Sequence, residues 1–121
     1  MKTELENVRP KEIETRSFEI ITEELGDKKL VPGTELIVKR CIHTSADFDY
    51  ADNLCFSDHA VEQAIQAIKN GACIVTDTQM AKAGINKKAL KKYGGEVFCF
   101  MSDEDVACAA KSQGSTRAVA S

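Results

Sequence analysis

The sequence predicts an α/β protein with a parallel sheet, and three observations lead to that class. Short apolar runs that suit buried strands alternate with amphipathic stretches that suit helices over residues 54–121. Turn signals such as Asn70-Gly71 and Gly94-Gly95 separate these stretches. The resulting order, strand–helix–strand–helix–strand with short loops, implies crossover connections and therefore parallel strands. We expect residues 1–121 to form a single, incomplete α/β domain, with N-terminal helices over 10–45 and a βαβαβ region over 54–121.

Two helices are predicted ahead of the sheet. A proline that suits a first helical turn and a glycine that suits the position after the last turn delimit a helix over 10–25. Ser17 lies within its apolar stripe, and Arg16 borders that stripe. Thr34 can cap a second helix, which ends near His43.

Three apolar runs are predicted as the strands: Leu54-Cys55-Phe56, Ala72–Thr76 and Glu96–Met101. Ligands of open parallel sheets bind at the carboxyl ends of the strands. Asp77-Thr78 and Ser102 follow the second and third runs, so the topology alone makes them candidates for a site. The last run of the chain, Ala118–Ser121, starts as an apolar helix without a stop signal. We therefore expect either a fragment or a partner chain that covers what the sheet leaves open.

Composition excludes several classes of function. The net charge is −3, which argues against nucleic-acid binding, and the basic stretch Lys87–Lys92 carries no interleaved aromatic residues. We interpret that stretch as a solvated helix face. No apolar run approaches the length of a membrane span, and the charged N-terminus lacks a signal-peptide core. We accordingly predict a cytoplasmic protein without nucleic-acid or membrane partners.

No metal site is predicted. The five cysteines are odd in number and widely spaced without a C-x-x-C pair, and we expect buried, reduced thiols of a cytoplasmic protein. The acidic loop Asp47–Asn53 mimics part of a calcium loop, but it lacks the central glycine and the distal glutamate. We interpret this loop as a solvated connection.

His43 is the leading candidate for chemistry. Histidine has the side chain whose unperturbed pKa lies nearest neutrality, so it can donate or accept a proton in the cell. His43 closes the second helix, just ahead of the acidic loop. The structural alternative is that His43 only interacts with the dipole of that helix.

Five stretches carry a resemblance to a known family. They are, in chain order, Ile13–Ile21, Val38–Thr44, Phe56–Ala67 with Gly71-Ala72, Asp77–Met80 with Ala83–Ile85, and Thr116-Arg117. Together they resemble the precorrin-8X methylmutases, which are also called cobalt-precorrin-8 methylmutases or precorrin isomerases. Each stretch is a weak signal alone, but five in the same order across about residues 13–117 form a specific pattern.

The resemblance implies a flavodoxin-like, three-layer α/β/α fold with a parallel sheet whose C-terminal part is missing, because members of this family continue well beyond 121 residues. It also implies a homodimer and an isomerase that moves a methyl group from C11 to C12 of a corrin precursor, on the way to cobalamin. No redox cofactor is needed, and cobalt, if present, belongs to the substrate. By resemblance, His43 is the general acid.

The substrate implied by this resemblance is a flat macrocycle with many carboxylate arms. Such a ligand needs an apolar slot with cationic or hydroxyl donors at its rim. The residues assigned to substrate binding are two carboxylate clamps, Arg16 and Arg117, and four hydroxyl donors, Ser17, Thr44, Thr78 and Thr116.

Alternatives stay open for these residues and for the function. Arg16 could be only an intrahelical partner of nearby glutamates, Ser17 a small packing residue, and Asp77 a helix cap. The shortened length also allows a non-catalytic, truncated module that binds a tetrapyrrole or acts as a flavodoxin-like interaction domain. A phospho-accepting receiver domain with Asp77 at a strand end is a weaker option, because the paired acids expected after a first strand are missing.

Overall fold

The computed structural model describes residues 6–121, and these residues divide into two compact units. The first unit ends at Val61 and the second extends from Glu62 to Ser121. The first unit is helical. Its elements are a 3-10 turn (Pro10–Glu12), α1 (Ile13–Leu25), α2 (Glu35–Ser45) and α3 (Tyr50–Asn53).

Helices α1 and α2 pack against each other and form the core of the first unit. Ile21 of α1 is 5% exposed, while Val38 and Ile42 of α2 are 2% and 1% exposed. These side chains recur at the spacing of one helix face, which is why both helices bury an apolar stripe. The two predicted N-terminal helices are thereby confirmed.

The start of α2 departs from the predicted cap. Thr34 occupies the N-cap position, but its side chain makes no capping hydrogen bond to the helix. Its hydroxyl instead donates to the carbonyl oxygen of Val31 at 2.6 Å, and the residue is only 3% exposed. A buried hydroxyl needs a hydrogen-bond partner, and here the turn before the helix provides it.

The predicted strand at Leu54-Cys55-Phe56 is wrong, since these residues are not part of the sheet. Leu54 has extended backbone angles, and the half-buried side chains of Leu54 and Phe56 pack against the helical core, whereas Cys55 is exposed. Two side chains of this apolar run are therefore partly buried against helices rather than within a sheet. Helix α3 also occupies part of the segment that the sequence suggested was a solvated loop.

The second unit is of the α/β type. Its elements are α4 (Ala60–Lys69), β1 (Ile74–Val75), α5 (Gln79–Gly84), α6 (Lys87–Lys91), β2 (Val97–Phe98), α7 (Glu104–Gln113) and α8 (Arg117–Ala120), with α4 starting at the boundary between the units. Strands β1 and β2 pair in parallel, with Ile74 opposite Val97 and Val75 opposite Phe98. The α/β class and the parallel pairing are confirmed, with strands shorter than the apolar runs that predicted them.

A glycine lets the two strands approach each other. A Cβ atom on Gly95, just before β2, would lie 2.7 Å from the carbonyl oxygen of Ala72 and 3.0 Å from the Leu90 side chain. Leu90 is buried, together with Cys99 of the same unit. Only a residue without a side chain fits between this backbone and the buried leucine.

The cysteine prediction holds only in part. All five cysteines are free, but Cys99 alone is buried, while Cys55, Cys73 and Cys108 are exposed and Cys41 is intermediate. The sequence suggested burial because most of the five have apolar neighbours. Neighbours along a strand or helix point in different directions, so an apolar neighbour does not bury the next residue.

Candidate functional site

A cavity of about 480 Å³ lies in the first unit, where α1 meets the end of α2. Apolar side chains dominate its wall, among them the core residues Ile21 and Ile42. The polar groups on the wall come from these residues: Glu6, Arg16, Ser17, Glu24 and His43. An apolar slot with a few convergent polar groups is the usual form of a small-molecule site.

Ser17 and His43 join the two helices by a hydrogen bond. The Ser17 hydroxyl lies 2.7 Å from Nδ1 of His43, and both residues are half-buried. A hydroxyl can donate to the unprotonated Nδ1 of a neutral ring or accept from the Nδ1–H of an imidazolium. The contact can therefore form in both protonation states of His43.

Phe18 contacts the same imidazole ring. The two ring centroids lie 5.7 Å apart with the planes tilted by 39°. The Arg40 guanidinium lies 5.1 Å from the centroid of Phe18, and Arg40 Nη2 donates to Glu14 Oε1 at 2.7 Å. This hydrogen bond and the charge of Arg40 lower the pKa of Glu14, and the same contact raises the pKa of Arg40.

Arg16 is an anchored cation on the cavity wall. Its Nε donates to Glu6 at 2.8 Å and its Nη1 to Glu19 at 3.3 Å. The Glu6 hydrogen bond, followed by that of Glu19, raises the pKa of Arg16. Glu19 is thus an intrahelical partner of Arg16, but the shorter contact comes from Glu6, ahead of the helix.

Thr44 is the fourth predicted site residue in the first unit, and it does not line the cavity. Its hydroxyl donates to the carbonyl oxygens of Arg40 and Cys41, at 3.2 and 3.1 Å, within its own helix. The structure thus brings Arg16, Ser17 and His43 together at the cavity. Thr44 follows His43 in the sequence but lies outside the cavity wall.

The other three predicted residues belong to the second unit. Thr78 follows β1 and caps α5, where its hydroxyl accepts from the backbone N–H of Ala81 at 3.1 Å. Thr116 caps α8 in the same way, and Arg117 is the exposed first residue of that helix. Each cap uses the hydroxyl as an acceptor, so its own proton is still available to a ligand. Asp77, expected as the cap, is replaced in that role by Thr78.

Metal ligands do not cluster in the described part of the chain: among residues 6–121 no group of three or more His, Cys, Asp or Glu side chains could hold an ion. In the acidic loop, the carboxylate of Asp47 accepts from the backbone N–H of Asp49 at 2.9 Å, which is a local turn. No helix within residues 6–121 has the length and apolar character of a membrane span.

The ion pair between Glu14 and Arg40 predicts a pH dependence of stability. Because pairing lowers the pKa of Glu14 below its ordinary value of 4.5, its contribution is fully present above about pH 4.5 and is lost as pH falls through the lowered pKa. We expect Glu14→Gln to cause a small loss of unfolding free energy at neutral pH, since surface pairs contribute little. Denaturant titrations over a pH series should show that loss vanishing in acid.

The matched control for this prediction is Glu12→Gln, which removes the same charge at an exposed position in the preceding 3-10 turn. Its effect should not follow the pH profile of Glu14→Gln. Identical profiles for the two variants would contradict the assignment to the Arg40 pair.

The fold and the cavity define an α/β protein whose candidate site is centred on a histidine between two packed helices. A family model described as precorrin-8X methylmutase matches residues 12–121. The chain belongs to the precorrin-8X methylmutase family. The match begins after Glu6, so the residue that makes the shorter contact with Arg16 lies outside it.

Individual relatives agree with the family model. The chain is 43% identical over 114 residues to the cobalt-precorrin-8 methylmutase of Priestia megaterium, covering 94% of this chain and 51% of that protein. It is 44% identical over 117 residues to the enzyme of that name from Salmonella typhimurium, covering 93% and 56%. The chain thus spans about half the length of the curated relatives it matches.

A solved structure described as a precorrin-8X methylmutase from Thermus thermophilus superposes on the chain with a TM-score of 0.77 at 35% identity. The match covers 90% of this chain and 54% of that one.

Sequence reasoning missed Phe18, Arg40 and Glu14 as neighbours of the histidine. Their spacing was visible, because residues three and four apart share one face of a helix. What the sequence could not show is which face of α1 meets which face of α2.

Proposed function

We propose that this chain binds a corrin-type tetrapyrrole and serves an isomerase that moves a methyl group from C11 to C12 of precorrin-8X or cobalt-precorrin-8, in cobalamin biosynthesis. Family membership and the names of the relatives support the reaction. The observation that carries the site is the hydrogen bond between Ser17 and His43 on the wall of an apolar cavity that also presents Arg16.

In the proposed mechanism, His43 acts as a general acid. Ser17 engages Nδ1, which leaves Nε2 to face the substrate. The imidazolium protonates a ring nitrogen or its neighbourhood, and the positive charge on the macrocycle draws the electrons of the migrating methyl group. The C11–methyl bond breaks as the C12–methyl bond forms, and the proton returns to the imidazole. In this step no atom is gained or lost and the borrowed proton is returned, so it balances without a cofactor, and any cobalt belongs to the substrate.

Binding combines apolar contact with local cations. The cavity volume of about 480 Å³ is in the usual range of ligand pockets, roughly 300–1,000 Å³, and is suited to one edge of a large flat ring. Net charge of −3 repels a polycarboxylate at long range, so short-range donors have to dominate. Arg16 at the cavity and Arg117 in the second unit are the proposed carboxylate clamps, with hydroxyl donors from Ser17, Thr44, Thr78 and Thr116.

The remaining parts of the proposal concern partners and location. We expect a homodimer, since the family resemblance implies one and large apolar side chains of the second unit are exposed, among them Met80 at 85% and Val75 at 63%. Five free thiols are typical of a reducing compartment, which supports the cytoplasm.

A visible-light titration of the chain with precorrin-8X and with a stable corrinoid tests the proposal. Binding accompanied by a change from the substrate spectrum to the product spectrum supports the isomerase. Tight binding without conversion supports instead the truncated tetrapyrrole-binding module. If neither macrocycle binds, both readings are wrong.

Arg16→Ala is expected to weaken macrocycle binding. Hydrogen bonds to charged groups contribute about 1.5–3 kcal/mol, which corresponds to a rise in Kd of roughly tenfold to a hundredfold. Glu6→Gln should act in the opposite direction, because it frees the guanidinium from its 2.8 Å partner. Both changes are measured by the same spectral titration.

The matched control is Arg9→Ala, which removes one positive charge at an exposed position ahead of the 3-10 turn that does not line the cavity. It should leave Kd nearly unchanged. If Arg9→Ala and Arg16→Ala raised Kd equally, Arg16 would contribute to binding only through the net charge of the chain.

A further inference from the structure

The hydrogen bond from Ser17 fixes one atom of the His43 ring but not its plane. A ring held only at Nδ1 can still turn about its Cβ–Cγ bond. Such a turn moves Nε2 relative to a substrate and breaks the Ser17 contact, and a neutral ring that has lost this contact populates both tautomers. Phe18 is the neighbouring residue on α1, and its ring centroid lies 5.7 Å from that of His43 at a tilt of 39°. Tilted aromatic pairs at 4.5–7 Å have a preferred geometry, so Phe18 restricts the imidazole plane.

Phe18 is itself held in place. The Arg40 guanidinium lies 5.1 Å from its ring centroid, a distance suited to a cation–π interaction, and Glu14 holds Arg40 by a 2.7 Å hydrogen bond. Glu14 and Phe18 are four residues apart on α1, and Arg40 and His43 are three apart on α2. The four side chains therefore form one continuous contact across the helix pair.

Three of these residues do not line the cavity. Glu14, Phe18 and Arg40 line a separate groove formed by α1 and α2, whereas His43 and Ser17 line the cavity. A ligand in the cavity is not expected to contact the three groove residues, so any influence they have on it passes through His43.

We propose that Phe18, fixed by the Arg40–Glu14 ion pair, is a positioning residue that sets the ring plane of His43. The inference rests on the proposed function for its catalytic meaning. Its physical content is that losing the Phe18 ring frees the imidazole while leaving the macrocycle contacts intact. Small misplacements of a reacting group away from its productive geometry reduce turnover by up to about a hundredfold.

The test compares Phe18→Leu, which removes the ring, with Phe18→Tyr, which keeps it. In Phe18→Leu we expect kcat to fall roughly tenfold to a hundredfold with KM little changed, and Phe18→Tyr should retain most of the activity. The second readout is the nitrogen-15 NMR spectrum of the His43 ring at a pH where it is neutral. The native chain should show one tautomer, protonated at Nε2, and Phe18→Leu a mixture.

The two readouts separate this inference from the proposed function. If His43→Ala leaves turnover unchanged, the acid role fails, and the NMR comparison still decides whether Phe18 orients the ring. If His43→Ala abolishes turnover while Phe18→Leu changes neither kcat nor the tautomer, the positioning role is overturned. Should Phe18→Leu fail to fold, Glu14→Gln at an exposed position replaces it as the test. We expect smaller changes in kcat and in the tautomer ratio in the same direction, and the absence of any change would overturn the inference.

Discussion

His43→Ala is expected to lower methylmutase turnover by a factor of about 10²–10⁴ while macrocycle affinity stays close to that of the native chain. This range is the typical contribution of a positioned general acid. His43 presents one nitrogen to Ser17, and removing the ring removes the proton donor without removing Arg16 or the apolar wall. Initial rates from the visible spectrum of precorrin-8X, with Kd from titration, measure the two quantities separately.

Two further variants separate chemistry from structure. His43→Gln keeps a hydrogen-bonding side chain but cannot act as an acid, so it should bind the macrocycle and fail to convert it. The control is His59→Asn, because His59 is exposed, does not line the cavity and has φ of 58°, a conformation that asparagine tolerates. Native turnover in His43→Gln would contradict the acid role and favour interaction with the helix dipole.

Most helices of this fold could be predicted from local signals, as the ends of α6 and α8 show, whereas the short α3 was predicted as part of a loop. Asn86 directly precedes α6, and its side chain accepts from the backbone N–H of Ala89 at 3.0 Å, as is typical of an N-cap asparagine. Thr116 lies just ahead of the run that was predicted to start the last helix, and its side chain caps α8. Caps and apolar periodicity are local properties, so a single sequence carries them.

The sheet was less predictable, because a short apolar run does not specify what will bury it. Leu54-Cys55-Phe56 has the composition of a strand, yet the first and third side chains pack on the helical core of the first unit. The second and third runs do pair, through Ile74 opposite Val97 and Val75 opposite Phe98. The choice between a helical surface and a strand partner is made by tertiary contacts that propensity does not contain.

For the candidate site, the sequence could suggest residues but not their geometry. Resemblance brought Arg16, Ser17 and His43 together, and the structure places all three on one cavity. The partners that constrain them could not be read from the sequence, since Glu6 and Phe18 are ordinary residues of a charged segment and an apolar stripe. Their importance comes from the crossing of α1 and α2. The roles of all the candidate site residues, in both units, remain predictions.

Ile42→Ala is expected to lower the unfolding free energy by about 2–5 kcal/mol, the usual range for truncating a buried isoleucine. Ile42 is 1% exposed, belongs to the core with Ile21 and Val38, and directly precedes His43 on α2. The lost carbon atoms leave a void in a close-packed core, and the neighbouring side chains relax into such a void only in part. The unfolding free energy of natural domains is only about 5–15 kcal/mol. Chemical denaturation should therefore show a large shift of the unfolding midpoint or an unfolded first unit.

A graded series makes this prediction specific to the core under the histidine. Ile42→Val should cost about 0.5–1.5 kcal/mol, and Ile37→Ala, at a position on the same helix that is 39% exposed, should cost clearly less than Ile42→Ala. In the variants that stay folded, macrocycle affinity should fall in the same order as stability, since Ile42 also lines the cavity. Equal losses for Ile37→Ala and Ile42→Ala would mean that α2 does not pack through the face that presents His43.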